Sequence, residues 1–222
     1  MLAPIAGYGL RGAIWYQGES DTYPEEIDCF AEKLVVLVDA WRENFENPDL
    51  SFIQVQLAPY AIGNRDWALG RWQQLKACDM TKNLGVINII DCGEEREIHP
   101  VDKTTVGNRL ALLAMKDVYK KDVNAYAPKF KSAKYSKDSA EILFDSFGRK
   151  LETKGDARGF EVCVNGKWEK GVASFNNGKV FVKSANGTEI SGVRYLWKNW
   201  ARPDAWLFNQ DGLPAFSFID KK

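Results

Sequence analysis

Apolar residues recur with two different periods along the chain, and the change of period divides it into two halves. In the first half, apolar runs of strand length alternate with longer amphipathic segments. The runs that predict strands are 12–17, 51–60 and 84–91, and the segments that predict helices are 24–45, 67–80 and 102–119. Strands that alternate with helices at these lengths predict a parallel sheet covered by helices.

The first strand and the first helix of this half have the clearest patterns. The stretch GAIWYQ (12–17) is almost continuously apolar, which is typical of a strand that is buried on both faces. The segment that opens at Pro24 has acidic residues in its first turn and apolar residues at helical spacing from Ile27 to Phe45. It predicts a helix of about twenty residues.

From about residue 125 the pattern changes to short alternating stretches separated by turns. Asn-Gly pairs at 165, 177 and 186 predict tight turns between antiparallel strands. The fold class is therefore α/β, with a parallel sheet over residues 1–124 and an antiparallel, sandwich-like β-rich region over residues 125–222.

Charge and composition restrict the class of partner. Thirty basic residues balance thirty acidic ones, so no net field attracts nucleic acid or an anionic membrane, and a small neutral ligand fits better. No apolar run approaches the roughly 20 residues that span a bilayer, and the first residues lack the pattern of a signal peptide. The four cysteines form no C-x-x-C pair, which predicts buried thiols, and a disulfide between Cys78 and Cys92 stays open.

Two polar segments follow predicted strands at what is expected to be one edge of the sheet. QGESD (17–21) follows the first strand, and DCGEEREIHP (91–100) follows the third. Ligands collect at the carboxyl ends of parallel strands, so Gln17 and His99 are expected to share a site. His99 is the only histidine in the chain. The glutamates near it supply the acidic partner that a general base for a serine hydroxyl requires.

The same residues also have simpler explanations. A lone histidine on a surface loop is often without function, and Gln17 and Glu19 can simply cap the strand end and the helix that follows. A magnesium or calcium site around Asp91, Glu94 and Glu95 is a further alternative, although carboxylates this close in sequence are more often solvated.

Four motifs occur in order along the chain: WYQGES (15–20), GRWQQ (70–74), IHPVDKTTVGNRLAL (98–112) and GLPA (212–215). Together they resemble the sialate O-acetylesterases, a branch of the SGNH (GDSL-like) hydrolases that also includes acetylxylan esterases. The resemblance implies a partial three-layer α/β/α SGNH domain over residues 1–124 and a β-rich domain over residues 125–222. It also implies an esterase that removes O-acetyl groups from sialic acid or related sugars without a cofactor or metal, in a periplasmic or secreted location.

The resemblance assigns roles to individual residues. His99 matches the catalytic histidine, and Gln17 matches the side chain that helps to form the oxyanion hole. Glu97 is the acid expected to orient His99, although relatives commonly have aspartate at this position. The residues expected to bind substrate are Gly18, Glu19 and Arg71, of which Arg71 belongs to a family R-x-x-Q pattern that is structural or lies on the rim of the site.

The nucleophile of this family lies in an early G-Q-S-N-M block, which the chain does not contain. The chain is therefore expected to be the carboxy-terminal portion of a longer esterase. Ser20 is not expected to replace the nucleophile, because Thr22 stands where a G-x-S-x-G elbow needs glycine, and an N-cap role for Ser20 or Asp21 is expected instead. Without the first strands of the family sheet, the strand at 12–17 becomes an edge, and either pairing of two copies through it or poor solubility is expected.

A second function, from another class, is a non-catalytic carbohydrate-binding or structural module. The aromatic residues of RYLWKNW (194–200) and ARPDAWLFN (201–209) can stack on sugars if they are exposed. Eight tryptophans in 222 residues must mostly be buried, so core positions are the more frequent expectation.

Overall fold

The structure is a computed structural model of the chain that describes residues 2–61 and 63–222. Its first half contains three parallel strands in the order β1-β2-β3, namely β1 (Gly12–Trp15), β2 (Ser51–Val55) and β3 (Leu84–Ile87). The helices are α1 (Phe30–Asn44), α2 (Trp67–Met80) and α3 (Lys103–Asp117). The predicted alternation of strands and helices around a parallel sheet is confirmed.

Helices cover both faces of this sheet. Alternate residues of β2 point to opposite faces, so Phe52 packs with the α1 residue Leu34 while Ile53 packs with the α3 residue Leu113. Helix α2 lies on the same face as α1, because Ala77 belongs to the cluster around Phe52. The fold of this half is therefore the expected three-layer α/β/α arrangement.

Aspartates fix the first turns of α2 and α3. The Asp66 side chain accepts a hydrogen bond from the backbone N–H of Leu69 at 2.8 Å, and Asp102 accepts one from Thr105 at 2.9 Å. Each aspartate satisfies a donor that the helix itself leaves free. The hydrogen bonds from Thr105 also lower the pKa of Asp102.

The first helix begins later than the sequence predicts. Instead of starting at Pro24, α1 starts at Phe30, after two 3-10 turns at Ser20–Thr22 and Ile27–Cys29. The Tyr23 carbonyl accepts hydrogen bonds from the N–H groups of both residue 26 and residue 27, which closes a separate turn. Ile27 nevertheless stays buried beside the helix, so the apolar period continues through residues that are not α-helical.

Strand β1 lies at the edge of the sheet, and the prediction that both its faces are buried is wrong. The side chain of Ile14 is 62% exposed, because α3 packs against β2 and β3 and leaves this face of β1 uncovered. Within the described residues, β1 pairs only with β2. Its outer edge therefore presents unpaired backbone groups.

The second half consists of antiparallel strands. They are β4 (Lys129–Tyr135), β5 (Ser139–Asp145), β6 (Leu151–Thr153), β7 (Phe160–Val164), β8 (Lys167–Lys170), β9 (Val172–Asn176), β10 (Lys179–Lys183), β11 (Gly192–Tyr195), β12 (Leu207–Asn209) and β13 (Phe218–Lys221). Two four-stranded sheets, β4-β5-β10-β9 and β13-β11-β7-β8, enclose one apolar core, and β12 pairs with β6. The predicted antiparallel region is confirmed.

Two of the three Asn-Gly pairs form the predicted hairpin turns. Asn165 and Gly166 have φ values of 49° and 77° between β7 and β8, and Asn177 and Gly178 have values of 49° and 76° between β9 and β10. Positive φ at both central residues is the geometry of a type I′ turn. The pair at 186 is not a hairpin turn, because the strands on either side of it, β10 and β11, lie in different sheets.

The two halves of the chain are in contact. Leu75 of α2 shares a buried cluster with Ala127, Leu213 and Phe216. Over the described residues, no helix is long and apolar enough to cross a membrane. A division into domains at residues 1–124 and 125–222 stays a prediction.

Candidate active site

The loops that follow the three parallel strands contact one another at the carboxyl edge of the sheet. The Arg65 guanidinium, after β2, donates to the carbonyl of Glu19, after β1, at 3.0 Å. The backbone N–H of Ala61 donates to the carbonyl of Glu95, after β3, at 2.9 Å. The two sequence segments predicted to share a site are therefore held at one edge by the loop between them.

Tyr16 also connects the first of these loops to the third. Its ring centroid lies 5.0 Å from the Lys103 ammonium, at the start of α3. Burial, with smaller contributions from the nearby groups Glu19, Cys92 and Glu94, raises the pKa of the Tyr16 phenol to about 12. The residue before Gln17 therefore contacts the start of α3, four positions after His99.

The Gln17 side chain is fixed by Asp21. One N–H of its amide donates to the Asp21 carboxylate at 3.0 Å, and Asp21 in turn lies 3.9 Å from the Lys33 ammonium. An amide has two N–H donors, and the second makes no hydrogen bond to the described residues. Gln17 therefore retains a donor of the kind that an oxyanion hole requires.

Gly18 and Glu19 shape the turn that holds Gln17. Gly18 is buried with φ at 150°, and a Cβ at this position would lie 2.7 Å from Cζ of Phe30. Its N–H donates to the Glu19 carboxylate at 2.9 Å, and the Glu19 carbonyl accepts from the Thr22 hydroxyl at 2.7 Å. The structure thus gives both residues a role in the turn, and their contact with substrate stays a prediction.

His99 and Glu97 lie together on the loop after β3. His99 Nδ1 is 3.5 Å from Oε1 of Glu97, and the same oxygen accepts a hydrogen bond from the His99 backbone N–H at 3.0 Å. The side chains are 83% and 56% exposed. This arrangement leaves Nε2 free to take a proton, as a base oriented through Nδ1 must.

Other acids near His99 are engaged elsewhere. Asp91 binds the Arg109 guanidinium through two hydrogen bonds of 2.6 and 2.8 Å, and Asp102 caps α3. Glu94 accepts a backbone N–H from the segment after His99 at 3.3 Å. The acid that contacts the imidazole among the described residues is Glu97.

The alternatives of a metal site and a disulfide find no support. Among residues 2–61 and 63–222, no group of three or more histidine, cysteine or acidic side chains is placed to hold a metal ion. All four cysteines are free thiols, so Cys78 and Cys92 are not bonded. Cys92 and Cys163 are buried as predicted, whereas Cys78 is half-buried and Cys29 is exposed.

Arg71 is wholly buried, away from solvent. Its Nη2 donates to the carbonyls of Lys198 at 2.6 Å and Leu196 at 3.4 Å, while Nε and Nη1 make no hydrogen bond within the described residues. Burial lowers the pKa of its guanidinium to about 10. Arg71 thus presents no exposed surface for the predicted contact with substrate. Its position fits the alternative that the R-x-x-Q motif is structural.

Ser20 occupies a different position from the one predicted for it. It lies exposed in the 3-10 turn after β1, whose N-cap is Glu19, and α1 begins only at Phe30. Neither Ser20 nor Asp21 accepts a capping hydrogen bond, so the N-cap prediction is wrong. Ser20 makes no contact that would activate its hydroxyl among the hydrogen bonds of the described chain.

Two residues near the carboxyl end also hold the site loops, and no sequence pattern indicated a role for either. Asn199 accepts a hydrogen bond from the Trp67 N–H at 3.0 Å and donates to the Arg65 carbonyl at 2.9 Å. Arg202 donates to the carbonyl of Gly93. These contacts join residues more than 100 positions apart, so no local pattern predicts them.

A family model described as "carbohydrate esterase, sialic acid-specific acetylesterase" matches residues 3–116. This is about half of the chain, and the chain belongs to this family of carbohydrate esterases.

The solved structure of a carbohydrate acetylesterase from Xanthomonas citri matches the whole chain with a TM-score of 0.91 and 31% identity, and the match covers 52% of that protein. The sialate O-acetylesterases of Mus musculus and Rattus norvegicus are each 26% identical to this chain. These two matches cover 99% and 90% of this chain, and 46% and 42% of the relatives. The chain thus spans about half the length of these relatives, and the resemblance drawn from the four motifs is confirmed.

Proposed function

We propose that this chain supplies the general base and the oxyanion donor of an esterase that hydrolyses O-acetyl groups on sialic acid or a related sugar. The observation that carries the proposal is the position of His99, paired with Glu97, at the same sheet edge as Gln17. Membership of the carbohydrate esterase family makes ester hydrolysis the chemistry that such a pair would perform.

The proposed reaction follows a serine-esterase mechanism. His99 Nε2 takes the proton of a serine hydroxyl while the hydroxyl oxygen attacks the acetyl carbonyl carbon, and Glu97 orients the ring through Nδ1. The free N–H of Gln17 donates to the resulting oxyanion. The bond to the sugar oxygen then breaks, the sugar oxygen takes the proton from His99, and the acetyl group stays on the serine. Water repeats these steps and releases acetate.

We infer that the nucleophile is not among these 222 residues. The sequence has no G-Q-S-N-M block, and Ser20 lies in an exposed turn with no hydrogen bond to a base in the described residues. On this account the chain alone forms no acetyl-enzyme, although it holds the base and the oxyanion donor.

The direct test of the nucleophile is the hydrolysis of para-nitrophenyl acetate by the purified chain beside its His99→Ala and Ser20→Ala variants. The proposal expects the same background rate from all three proteins. Activity that is lost in both variants would identify Ser20 as the nucleophile and overturn this inference.

The test of the substrate uses a chimera in which this chain replaces the matching 52% of the Xanthomonas citri acetylesterase. Acetate release is measured from O-acetylated N-acetylneuraminic acid and from acetylated xylo-oligosaccharides. The proposal expects faster release from the sialic acid. Release from the xylo-oligosaccharides alone would place the substrate in the plant-polysaccharide class.

The second function, a non-catalytic carbohydrate-binding or structural module, is not favoured. The matched relatives are named as esterases. Two of the aromatic residues that suggested this function, Tyr195 and Trp206, belong to the sandwich core.

A further inference from the structure

Two cavities of about 390 Å³ each share the lining residues Trp197 and Lys198, in the loop after β11. Both cavities are also lined by Arg194. We call them together the Trp197 groove. The first cavity is bounded by the loop before α2 through Asn64, Arg65 and Asp66. The second lies against the β7 and β8 hairpin through Arg158, Gly159, Phe160, Glu161 and Lys170.

The groove begins beside the candidate active site. Arg65, which lines the first cavity, donates to the carbonyl of Glu19 in the QGES turn at 3.0 Å. Asn199, in the same cavity, donates to the Arg65 carbonyl at 2.9 Å. The first cavity therefore lies against the loop that carries Gln17, and the second lies against the β sandwich.

The loop that presents Trp197 is held in a strained conformation. Leu196 has φ at 51°, a left-handed conformation that is uncommon for a bulky residue. Its N–H donates to the Gly159 carbonyl at 2.8 Å, and the buried Arg71 guanidinium binds the carbonyls on both sides of Trp197. Strain of this kind persists only where the surroundings fix it, and it concentrates at functional sites.

Trp197 offers an aromatic surface at the junction of the cavities. Its ring is half-buried and packs edge to face on Trp72 with centroids 6.1 Å apart. A half-buried indole that lines a wet groove combines an apolar ring with a polar edge, which suits it to contact a ligand that has both apolar and polar surfaces. The apolar faces of sugars are such surfaces.

The second cavity carries an excess of positive charge. Arg158, Lys170, Arg194 and Lys198 line it, against the two acids Glu161 and Asp204. Arg194 is neutralised by Glu161 through hydrogen bonds of 2.8 and 2.9 Å, and Lys198 is paired with Asp204. Within the described residues, no carboxylate forms an ion pair with Arg158 or Lys170. The Arg158 guanidinium donates to the carbonyls of Asp156, Pro203 and Ala205 at 3.0–3.3 Å, whereas Lys170 has no such partner in the described chain. A ligand with a carboxylate would supply the missing charge.

We propose that the Trp197 groove binds an acidic sugar residue of the glycan, with its carboxylate toward Lys170 and its ring against Trp197. The proposal rests on the proposed function for the glycan as substrate. Binding in the groove itself requires neither His99 nor a nucleophile. The site would therefore give the enzyme a preference for anionic oligosaccharides over single acetylated sugars.

The experiment is isothermal titration calorimetry of the full chain with a trimer of N-acetylneuraminic acid. The same titration with neutral xylotriose is the comparison. The acidic trimer is expected to bind more tightly than the neutral one, and more weakly at high salt. Trp197→Ala is expected to weaken the affinity for the acidic trimer roughly tenfold. Lys170→Gln is expected to weaken it about threefold.

The matched control is Lys167→Gln, an exposed lysine of the same β8 strand that does not line the groove. It is expected to leave the affinity unchanged. Equal binding of the two trimers, no binding of either, or equal losses in Lys167→Gln and Lys170→Gln would overturn the proposal. Because binding is measured without ester hydrolysis, His99→Ala must bind normally, which separates failure of the groove from failure of the proposed function.

Discussion

The Arg71 guanidinium donates to the backbone carbonyl of Lys198 at 2.6 Å, across 127 positions of the sequence. The contact joins the second helix of the parallel-sheet half to the strained loop of the β sandwich. No carboxylate forms an ion pair with Arg71 in the described residues, and burial lowers the pKa of its guanidinium to about 10. This buried cation, held by carbonyls, links the two halves of the chain beside the contacts of Asn199 and Arg202, so their stability is expected to depend in part on it.

Replacing Arg71 tests this dependence. Arg71→Lys keeps a buried charge, but its ammonium does not reach the position of Nη2, which binds both carbonyls, so it is expected to lower the free energy of unfolding by about 2–3 kcal/mol. Arg71→Met removes the charge together with the two unpaired nitrogens, and it is expected to cost less than the lysine variant. Urea denaturation measures both. A lysine variant as stable as the unmodified chain would contradict this role.

Tyr195 holds the chain between β11 and β12. Its hydroxyl oxygen accepts hydrogen bonds from the N–H groups of Trp206 and Leu207, both at 2.9 Å. Tyr195→Phe leaves two buried donors without partners and is expected to destabilise the chain by about 2–4 kcal/mol. Tyr119→Phe, at a side chain that is 56% exposed, is the control and is expected to change stability little.

The same variant has a pH signature. Burial raises the pKa of Tyr195 from 10.0 to about 12. The folded state therefore holds a proton that the unfolded state loses. The contribution of this proton to the free energy of unfolding is complete below pH 10 and is lost as the pH rises to about 12. Over that window the unmodified chain is expected to lose about 1.4 kcal/mol per pH unit more than Tyr195→Phe does. Equal slopes for the two proteins would argue against a buried phenol.

Gly18 and Gly107 form a matched pair of glycines with opposite surroundings. Gly18→Ala would place a methyl group 2.7 Å from the Phe30 ring at a positive φ, and it is expected to destabilise the chain by about 1–3 kcal/mol. Gly107→Ala meets nothing within 4 Å on α3 and is expected to stabilise it by about 1 kcal/mol. Thermal melting checks both signs, and a neutral Gly18→Ala would show that the QGES turn is not close-packed.

The edge strand β1 is expected to pair two copies of the chain. Ile14 is 62% exposed beside an edge that has no partner strand in the described residues, and such edges associate. Sedimentation velocity is expected to show a dimer that Ile14→Lys converts to a monomer. Val36→Lys, at a residue of α1 that is 68% exposed, is expected to leave the dimer intact. A monomer at all concentrations of the unmodified chain would exclude this pairing.

Local patterns predicted the elements whose ends are set locally. The predicted and observed bounds of α2 coincide, because Asp66 caps its first turn within three residues. The first helix was predicted too long, since the buried Ile27 continues the apolar period through a 3-10 turn. The turn at Asn186 was mistaken for a hairpin because the sequence does not show which sheet the next strand joins.

The candidate site was predictable only in some of its features. Strand ends placed Gln17 and His99 at one edge, and the contacts between their loops agree with that placement. The burial of Arg71 depends on a loop more than 100 residues away, so the motif that contains it did not reveal its surroundings. The Trp197 groove is assembled from both halves of the chain, and no single segment of the sequence contains it.

The measurement that tests the central claim most directly is the rate of acetate release by the chimera with the Xanthomonas citri acetylesterase, compared with its His99→Ala variant. If His99 is the general base, the variant loses at least about 100-fold in kcat, while Ser20→Ala in the same chimera keeps the full rate. A His99→Ala chimera that stays within about tenfold of the unmodified rate would contradict the assignment of the base, because general base catalysis contributes more than that.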